Sequence, residues 1–167
     1  IDQSAKDILD AHIKDMQEKG HDIYVHPHSG KANNGHYFYP HIISVKSIND
    51  IPDEKFGPIV HIAKFKSKNL DKVIDEVNNC GFGLTFGVHS RVEEKIEYIR
   101  SKVRVGNFYA NRSIVGAKVE SQPFGGENKS GTGFKAGGPN YLLRFMTERV
   151  ASINTTAFGG DVELLNS

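Results

Sequence analysis

The chain has 167 residues, of which 38% are hydrophobic and 25% charged, the size and composition of about one globular domain. Its 21 Lys and Arg residues against 20 Asp and Glu residues exclude a strongly basic nucleic-acid scaffold. No apolar run approaches the ~18 residues needed to cross a membrane. The single cysteine, Cys80, excludes an internal disulfide and favours a reducing, cytoplasmic compartment. The chain begins with Ile1 and no signal-peptide pattern follows, so we expect a cut or processed start and a longer parent.

The first third of the sequence predicts one helix and then three strands. A helix is predicted over 4–19, with Ser4 as the N-cap and Gly20 as the residue that ends it. Strands are predicted over 22–26, 37–45 and 59–65. Pro40 favours an edge or bulge position for the second strand, whereas the apolar third strand favours the sheet centre. The predicted buried face of the helix consists of Ile8, Leu9, His12, Ile13 and Met16.

The middle of the sequence alternates helices with strands. Helices are predicted over 69–79, ending near Gly81, and over 92–102; strands are predicted over 84–89 and 105–110. Strand, helix, strand, helix, strand is the order of parallel strands joined by crossover helices, so the sequence predicts an α/β domain. The apolar residues expected inward are Leu70, Val73, Ile74 and Val77 on the first helix, and Val92, Ile96 and Ile99 on the second.

Residues 111–139 are rich in Gly, Ser, Asn and Lys and show no periodicity, which is typical of a functional or disordered loop. After them, 141–146 predicts a short helix or turn and 150–157 a terminal strand. The glycine run 122–139 offers backbone N–H groups that an anion can approach closely, because glycine has no Cβ. The alternative is a flexible surface loop.

Two other residue groups suggest chemistry less strongly. His26 and His28 could share a metal, but no cysteine or carboxylate completes a ligand set nearby, so we interpret them as solvated histidines and predict no metal site. Cys80 could be a nucleophile. Because it falls at a predicted helix end, where the helix dipole disfavours the thiolate, we interpret it as a buried or half-buried structural thiol.

Four segments in order resemble the aldehyde dehydrogenase superfamily. They are Glu54-x-Phe-Gly-Pro58, Gly81–Arg91, Val105–Asn111 and Pro123–Gly126. The extended run from Pro123 to Pro139 is similar to the Δ1-pyrroline-5-carboxylate (L-glutamate-γ-semialdehyde) dehydrogenases, especially the form in bacterial proline utilization A. The tail from Ser152 to Gly160 also resembles the end of that dehydrogenase domain, so the resemblance spans essentially the whole chain.

The resemblance implies a partial catalytic domain over 1–146, with a mostly parallel sheet, and an oligomerisation tail with a terminal strand over 147–167. The family oxidises an aldehyde with NAD: a thiolate attacks the aldehyde, hydride passes to the nicotinamide, and water releases the acid. The family's catalytic cysteine, general base and pyrophosphate site all precede the region matched here. We therefore expect no catalytic residue in this chain, and an isolated chain that is inactive.

The resemblance also implies roles for particular residues. Glu54 would bind the nicotinamide-ribose hydroxyls of NAD and Phe56 would pack beside the nicotinamide. The backbone of Gly137 and Gly138 would hold the α-carboxylate of the small-molecule substrate, and Phe145 would pack on its aliphatic stem. A homo-oligomer without nucleic acid is expected, and a preceding proline dehydrogenase domain remains open. The alternatives are another aldehyde dehydrogenase subfamily, acting on betaine or succinate semialdehyde, and a non-catalytic structural or oligomerisation module.

Overall fold

The structure is a computed structural model and describes residues 1–27 and 35–154. The first part of the chain packs helix α1 (Gln3–Glu18) against a three-stranded sheet of β1 (Asp22–Val25), β2 (His41–Val45) and β3 (Ile59–Ala63). Strand β1 is antiparallel to β2, and β3 is parallel to β2. The core between helix and sheet is formed by Met16, Ile43 and Val45, with partly buried isoleucines around them.

Helix α1 confirms the predicted helix but begins differently. Its N-cap is Asp2, whose carboxylate accepts a hydrogen bond from the Ala5 N–H at 2.7 Å, so the predicted Ser4 cap is wrong. A carboxylate at this position satisfies a free N–H group and also favours the helix dipole. Gly20 ends the helix with a φ of +76°, as predicted. Leu9, His12 and Met16 are buried and Ile13 is half-buried, whereas Ile8 is exposed.

The sheet order corrects two predictions about strand position. Strand β2 lies in the centre of the described sheet, and β3 lies at one side of it. Pro40 favoured an edge or bulge position for β2. The strand instead begins at His41, so the missing N–H of Pro40 lies outside the ladder and removes no hydrogen bond. Val60 and Ile62 of β3 are exposed, so this apolar strand is not covered on both faces within the described residues.

The second part of the chain contains the alternating elements. Helix α2 spans Leu70–Asn79 and α3 spans Glu93–Lys102, and β5 (Thr85–Val88) runs parallel to β6 (Asn107–Ala110). The predicted strand–helix–strand unit is thus confirmed for β5, α3 and β6. Strand β3 pairs with β2 and has no ladder to β5 in the described part of the chain, so the expected single parallel sheet is not formed there. Val92 is exposed rather than inward.

The region after β6 is irregular, as predicted, with one short exception. Strands β4 (Phe82–Gly83) and β7 (Glu127–Asn128) form a two-residue antiparallel ladder, and Tyr141–Phe145 forms a 3₁₀ turn. Residues 150–154 form no strand, which contradicts that part of the predicted terminal strand; 155–157 and the rest of the tail lie outside the described residues. None of the described helices has the length and apolar character that crossing a bilayer requires.

Candidate functional site

Glu54 and Phe56 lie in the segment that joins β2 to β3. A 3₁₀ turn at Ile48–Asp50 begins this segment, and Asp50 accepts hydrogen bonds from the backbone N–H groups of Lys46 and Ser47. Burial acts to raise the pKa of Asp50, but these two N–H groups, together with the charges of His21 and Lys46, outweigh it and hold the pKa below its ordinary value. The start of the segment is therefore fixed by local hydrogen bonds.

Gly57 fixes the end of the same segment against helix α1. A Cβ atom at Gly57 would lie 2.5 Å from Cδ1 of Leu9, a distance that real Cβ contacts do not reach. Leu9 is almost fully buried, so it has little room to move away. Glycine at this position allows the chain to pass directly over the helix and leaves the Phe56 ring facing outward, with 81% of the residue exposed.

One cavity of about 640 Å³ joins this segment to the second part of the chain. Glu54 and Phe56 line one part of it, and Phe82, Phe86 and Lys129 line another. An exposed aromatic ring beside a carboxylate suits a ligand with a flat, partly apolar group and hydroxyl donors. The structure thus brings together the two residues that the sequence assigned to cofactor binding.

Cys80 lies on the wall of the same cavity, which the sequence did not indicate. It is the C-cap of α2, is half-buried, and its Sγ donates to the carbonyl oxygen of Phe82 at 3.6 Å. The predicted position at a helix end and the predicted partial burial are both confirmed. This geometry fits a structural thiol that closes the end of α2.

The glycine run forms a second, smaller cavity of about 280 Å³. Gly138 lines it, together with Lys135 and Pro123; Gly137 and Phe145 are not among the residues around it. The Gly138 N–H donates to the carbonyl oxygen of Lys135 at 2.9 Å, and the Gly137 carbonyl accepts from the Glu120 N–H at 2.9 Å. Gly137 has a φ of +75°, a conformation that favours glycine.

Phe145 lies apart from the two glycines. It is 72% exposed, and its ring contacts the Tyr141 ring edge-on at a centroid distance of 5.4 Å. The five residues that the resemblance assigned thus lie in different places: Glu54 and Phe56 line the large cavity and Gly138 lines the small one. Gly137 precedes Gly138 in the chain but does not line that cavity, and Phe145 lies on the 3₁₀ turn. Within the described ranges, no group of three or more His, Cys, Asp or Glu could hold a metal ion. His28 lies outside those ranges.

Residues that hold the glycine run in place were not identified from the sequence. Asn107 hydrogen-bonds to the run through both ends of its side chain, and Ser130 Oγ accepts from the Gly83 N–H at 3.1 Å. These contacts join residues 18 and 47 positions apart in sequence. No local pattern signals them, because asparagine and serine are also the ordinary residues of solvated loops.

The partial α/β fold and the cavity at the Glu-x-Phe-Gly-Pro segment define an aldehyde dehydrogenase fragment. Residues 1–151 match the Aldehyde dehydrogenase family, and the chain belongs to that family, as the sequence resemblance predicted.

Within this family, the chain is similar to enzymes of two related kinds. The chain is 42% identical over 154 residues to the Bifunctional protein PutA of Klebsiella aerogenes, covering 89% of this chain and 12% of that protein. It is 37% identical over 154 residues to the 1-pyrroline-5-carboxylate dehydrogenase of a Geobacillus strain, covering 91% of this chain and 29% of that protein. The chain therefore spans less than a third of the length of either relative.

Solved structures agree with these relatives. A Bradyrhizobium japonicum Proline Utilization A (PutA) mutant superimposes with a TM-score of 0.81 and 45% identity, covering 94% of this chain and 16% of that one. A 1-pyrroline-5-carboxylate dehydrogenase from Thermus with bound NAD superimposes with a TM-score of 0.74 and 29% identity, covering 86% of this chain and 28% of that one.

Proposed function

We propose that this chain is the C-terminal part of the catalytic domain of an NAD-dependent dehydrogenase that oxidises L-glutamate-γ-semialdehyde to L-glutamate in proline catabolism. The observation that carries the proposal is the shared cavity of Glu54 and Phe56, in a chain that also retains the glycine run in the order found in the family. The similarity to PutA and to 1-pyrroline-5-carboxylate dehydrogenases supports this substrate over betaine or succinate semialdehyde.

The residues of the large cavity fit the nicotinamide end of NAD. Its volume lies in the range of small-molecule sites, and Glu54 and Phe56 are both exposed in it. The Glu54 carboxylate would accept hydrogen bonds from the two ribose hydroxyls, and the Phe56 ring would cover one side of the nicotinamide. When bound, NAD supplies the hydride acceptor of the reaction. The role of this chain is to hold that acceptor in one orientation.

The glycine run would recognise the α-carboxylate of the substrate. Gly137 and Gly138 provide N–H groups that a carboxylate can approach without a side chain in the way, and Phe145 would pack on the methylene groups. In the structure the Gly138 N–H is bonded to Lys135, so this turn must release the N–H when the carboxylate binds. Phe145 must also approach from its exposed position on the 3₁₀ turn.

The remaining parts of the proposal concern the longer protein. Residues 1–146 would complete the catalytic domain, and 147–167 would form the oligomerisation tail of a homo-oligomer. The bifunctional relatives support a second catalytic domain in the same chain, which we propose to be a proline dehydrogenase. The catalytic thiol, the general base and the pyrophosphate site would come from segments outside this chain.

A chimera tests the proposal. Residues 1–154 replace the matching segment of the Geobacillus enzyme, and NADH formation is followed with glutamate semialdehyde and with propanal. We expect the chimera to oxidise glutamate semialdehyde and the isolated chain to oxidise neither aldehyde. A folded chimera active on propanal alone would assign the chain to another subfamily. A folded chimera inactive on both would favour the non-catalytic module.

A further inference from the structure

Asn107 holds the glycine run through both ends of its side-chain amide. Its Nδ2 donates to the carbonyl oxygen of Pro123 at 3.0 Å, and its Oδ1 accepts from the Gly125 N–H at 3.1 Å. Both bonds are partly buried. Two hydrogen bonds from one planar group fix the orientation of the Pro123–Gly125 backbone as well as its distance from β6.

Gly106, the residue before Asn107, packs closely against the glycine run. A Cβ atom at Gly106 would lie 1.8 Å from the carbonyl oxygen of Gly125, so the backbone of the run touches the backbone just before β6. The Gly106 N–H donates to the carbonyl oxygen of Gly83 at 2.9 Å and does not move freely away. The backbone of the glycine run therefore packs directly against the residue before β6, and the Asn107 amide fixes the position of the run along the strand.

A short series of contacts links the two Asn107 hydrogen bonds, called the tether below, to the proposed carboxylate site. Phe124, between the two residues that Asn107 holds, exchanges two backbone hydrogen bonds with Ala136, at 3.0 and 2.8 Å. Ala136 directly precedes Gly137 and Gly138. If Pro123–Gly125 moves, the Phe124–Ala136 hydrogen-bond pair moves the adjoining backbone of Gly137 and Gly138, which would bind the carboxylate.

The same strand also reaches the proposed cofactor cavity. Phe108, the residue after Asn107, stacks on Phe86 with a centroid distance of 5.9 Å and an interplanar angle of 14°. Phe86 lines the cavity with Glu54 and Phe56. Strand β6 is therefore linked to both proposed subsites, through Asn107 to the backbone of the glycine run and through Phe108 to Phe86 of the cavity.

From this geometry we propose that Asn107 is a positioning residue that sets the carboxylate-binding backbone at the correct distance from the nicotinamide cavity. The inference rests on the proposed function for its ligand, a small aldehyde bearing an α-carboxylate. Asn107 itself touches neither ligand. It acts through Pro123 and Gly125 on the backbone of Gly137 and Gly138.

Asn78 provides a matched control. Its Nδ2 donates to the carbonyl oxygen of Lys102 at 2.9 Å and its Oδ1 accepts from the Arg104 N–H at 2.7 Å, the same pair of bonds that Asn107 makes. Asn78 joins α2 to the end of α3 and contacts no part of the glycine run through these bonds. Replacing Asn78 with alanine removes two hydrogen bonds of the same kind at a more exposed place in the chain.

The first experiment measures amide hydrogen exchange on the 167-residue chain. We expect Asn107→Ala to speed exchange at Gly125, Phe124 and Ala136 by about tenfold, because each hydrogen bond contributes on the order of 1 kcal/mol. Asn78→Ala should speed exchange at Arg104 and leave those three amides unchanged. Unchanged exchange at Gly125 and Ala136 in Asn107→Ala would overturn the tether and the proposal with it.

The second experiment measures kinetics in the chimera. We expect Asn107→Ala to raise the KM for glutamate semialdehyde about tenfold and to change the KM for propanal and for NAD less than twofold. Asn78→Ala should change none of the three. A parallel rise for both aldehydes would indicate general damage and overturn the positioning role.

The two proposals fail in different ways. If the unsubstituted chimera is folded but does not oxidise glutamate semialdehyde, the proposed function is wrong and Asn107 has no substrate role, whatever the exchange rates show. If that chimera is active and Asn107→Ala has unchanged KM values, the proposed function stands and the inference about Asn107 is wrong.

Discussion

The side chains of His12 and His61 meet with their Nε2 atoms 2.9 Å apart, which joins helix α1 to strand β3. His12 is buried, with 6% of its surface exposed, and the two rings are T-shaped at a centroid distance of 5.2 Å. At this distance one Nε2 carries a proton and donates while the other accepts, so the pair needs at least one neutral ring. The contact is compatible with at most one positive charge.

Both rings favour the neutral form. Burial is the main cause that lowers the pKa of His12, followed by the charge of His61 and that of Lys55; Asp15 opposes them and Lys19 adds to them. Burial also lowers the pKa of His61, and the charge of His21 adds to this effect.

These directions predict a loss of stability in acid. Because the pKa values are lower in the folded state than the ordinary 6.5, the unfolded chain binds more protons below pH 6.5. The free energy of unfolding should be at its full value above pH 6.5, fall as the pH drops below it, and level off once the folded state is also protonated. Urea unfolding at about pH 7.5 and about pH 5 measures the difference.

His61→Gln is the control for this prediction. A glutamine amide can still bond to His12 but does not titrate, so the difference in unfolding free energy between the two pH values should shrink. His36→Gln changes an exposed histidine and should leave the difference unchanged. An equal pH dependence in the wild type and in His61→Gln would show that the pair is not its source.

Gly106→Ala should destabilise the chain strongly. The new Cβ would overlap the carbonyl oxygen of Gly125 at 1.8 Å, and both groups are backbone, so neither can rotate away. We expect a loss of about 3 kcal/mol or more in the free energy of unfolding. Gly20→Ala is the control: its φ is +76° but nothing lies within 4 Å, so it should cost only about 1–2 kcal/mol of backbone strain. Denaturant midpoints compare the two, and similar losses would contradict the overlap.

The elements that sequence predicted well depend on local features. Helix α3 and the ends of α1 and α2 at Gly20 and Gly81 follow from apolar spacing and from glycine at positive φ, and the structure has them within a residue or two. The central position of β2 was not predictable from Pro40. A proline excludes a central strand only if its missing N–H falls within the ladder, and β2 begins one residue later, at His41. The tether at Asn107 was not predictable either, since its partners lie 16 and 18 residues away.

The placement of the candidate site residues divides along the same line, while their roles stay predictions. The Glu54–Phe56 pair is a local motif, and its two residues do share one cavity. The resemblance implies that Phe145 and Gly137 bind one substrate together, whereas the structure places Phe145 on an exposed turn. Sequence distance alone does not determine which way a 3₁₀ turn faces, because packing against distant residues decides it.

The isolated chain should self-associate through its first sheet. Tyr24, Ile42 and Val60 are opposite one another across β1, β2 and β3, and they are 67%, 45% and 57% exposed. An exposed apolar sheet face favours pairing with another copy, and so does the outer edge of β3, which has no strand partner among residues 1–27 and 35–154. Light scattering across a concentration series should show a mass above that of the monomer.

A charge on the side strand tests the cause of association. Val60→Lys should lower the mass, because an exposed lysine blocks edge pairing. Val92→Lys makes the same change at an exposed site before α3 and should leave the mass unchanged. A clean monomer for the unsubstituted chain at high concentration would show that this face does not associate.

Glu54→Gln should weaken NAD binding without affecting the fold. Glu54 is exposed on the cavity wall, and a carboxylate that accepts from two hydroxyls contributes about 1.5–3 kcal/mol. In the chimera the KM for NAD should rise by at least about tenfold while the melting temperature stays nearly constant. Glu94→Gln, on the exposed face of α3, is the control and should change neither. Unchanged kinetics with a large fall in melting temperature would make Glu54 structural.

The final prediction concerns substrate selection by Gly137, Gly138 and Phe145. A side chain at Gly138 would crowd the Lys135 carbonyl oxygen, which lies 3.0 Å from the position of the new Cβ, and Pro123 at 3.2 Å. Gly138→Val should therefore distort the turn that presents the N–H groups. Phe145→Ala removes an exposed ring, so it should leave the fold intact and remove only its packing on the substrate.

Both variants should separate the two aldehydes in the chimera. Gly138→Val loses one or two charge-assisted hydrogen bonds, so kcat/KM for glutamate semialdehyde should fall by the equivalent of about 2–5 kcal/mol of transition-state binding free energy. Phe145→Ala loses the ring, and the corresponding fall should be about 1–3 kcal/mol. Propanal has no carboxylate and only a short stem, so its kcat/KM should change far less. Leu142→Ala, an exposed apolar residue on the same 3₁₀ turn, is the control for Phe145 and should affect neither aldehyde. If Gly138→Val and Phe145→Ala lower both kcat/KM values in proportion, these residues maintain the fold and do not recognise the carboxylate or its stem.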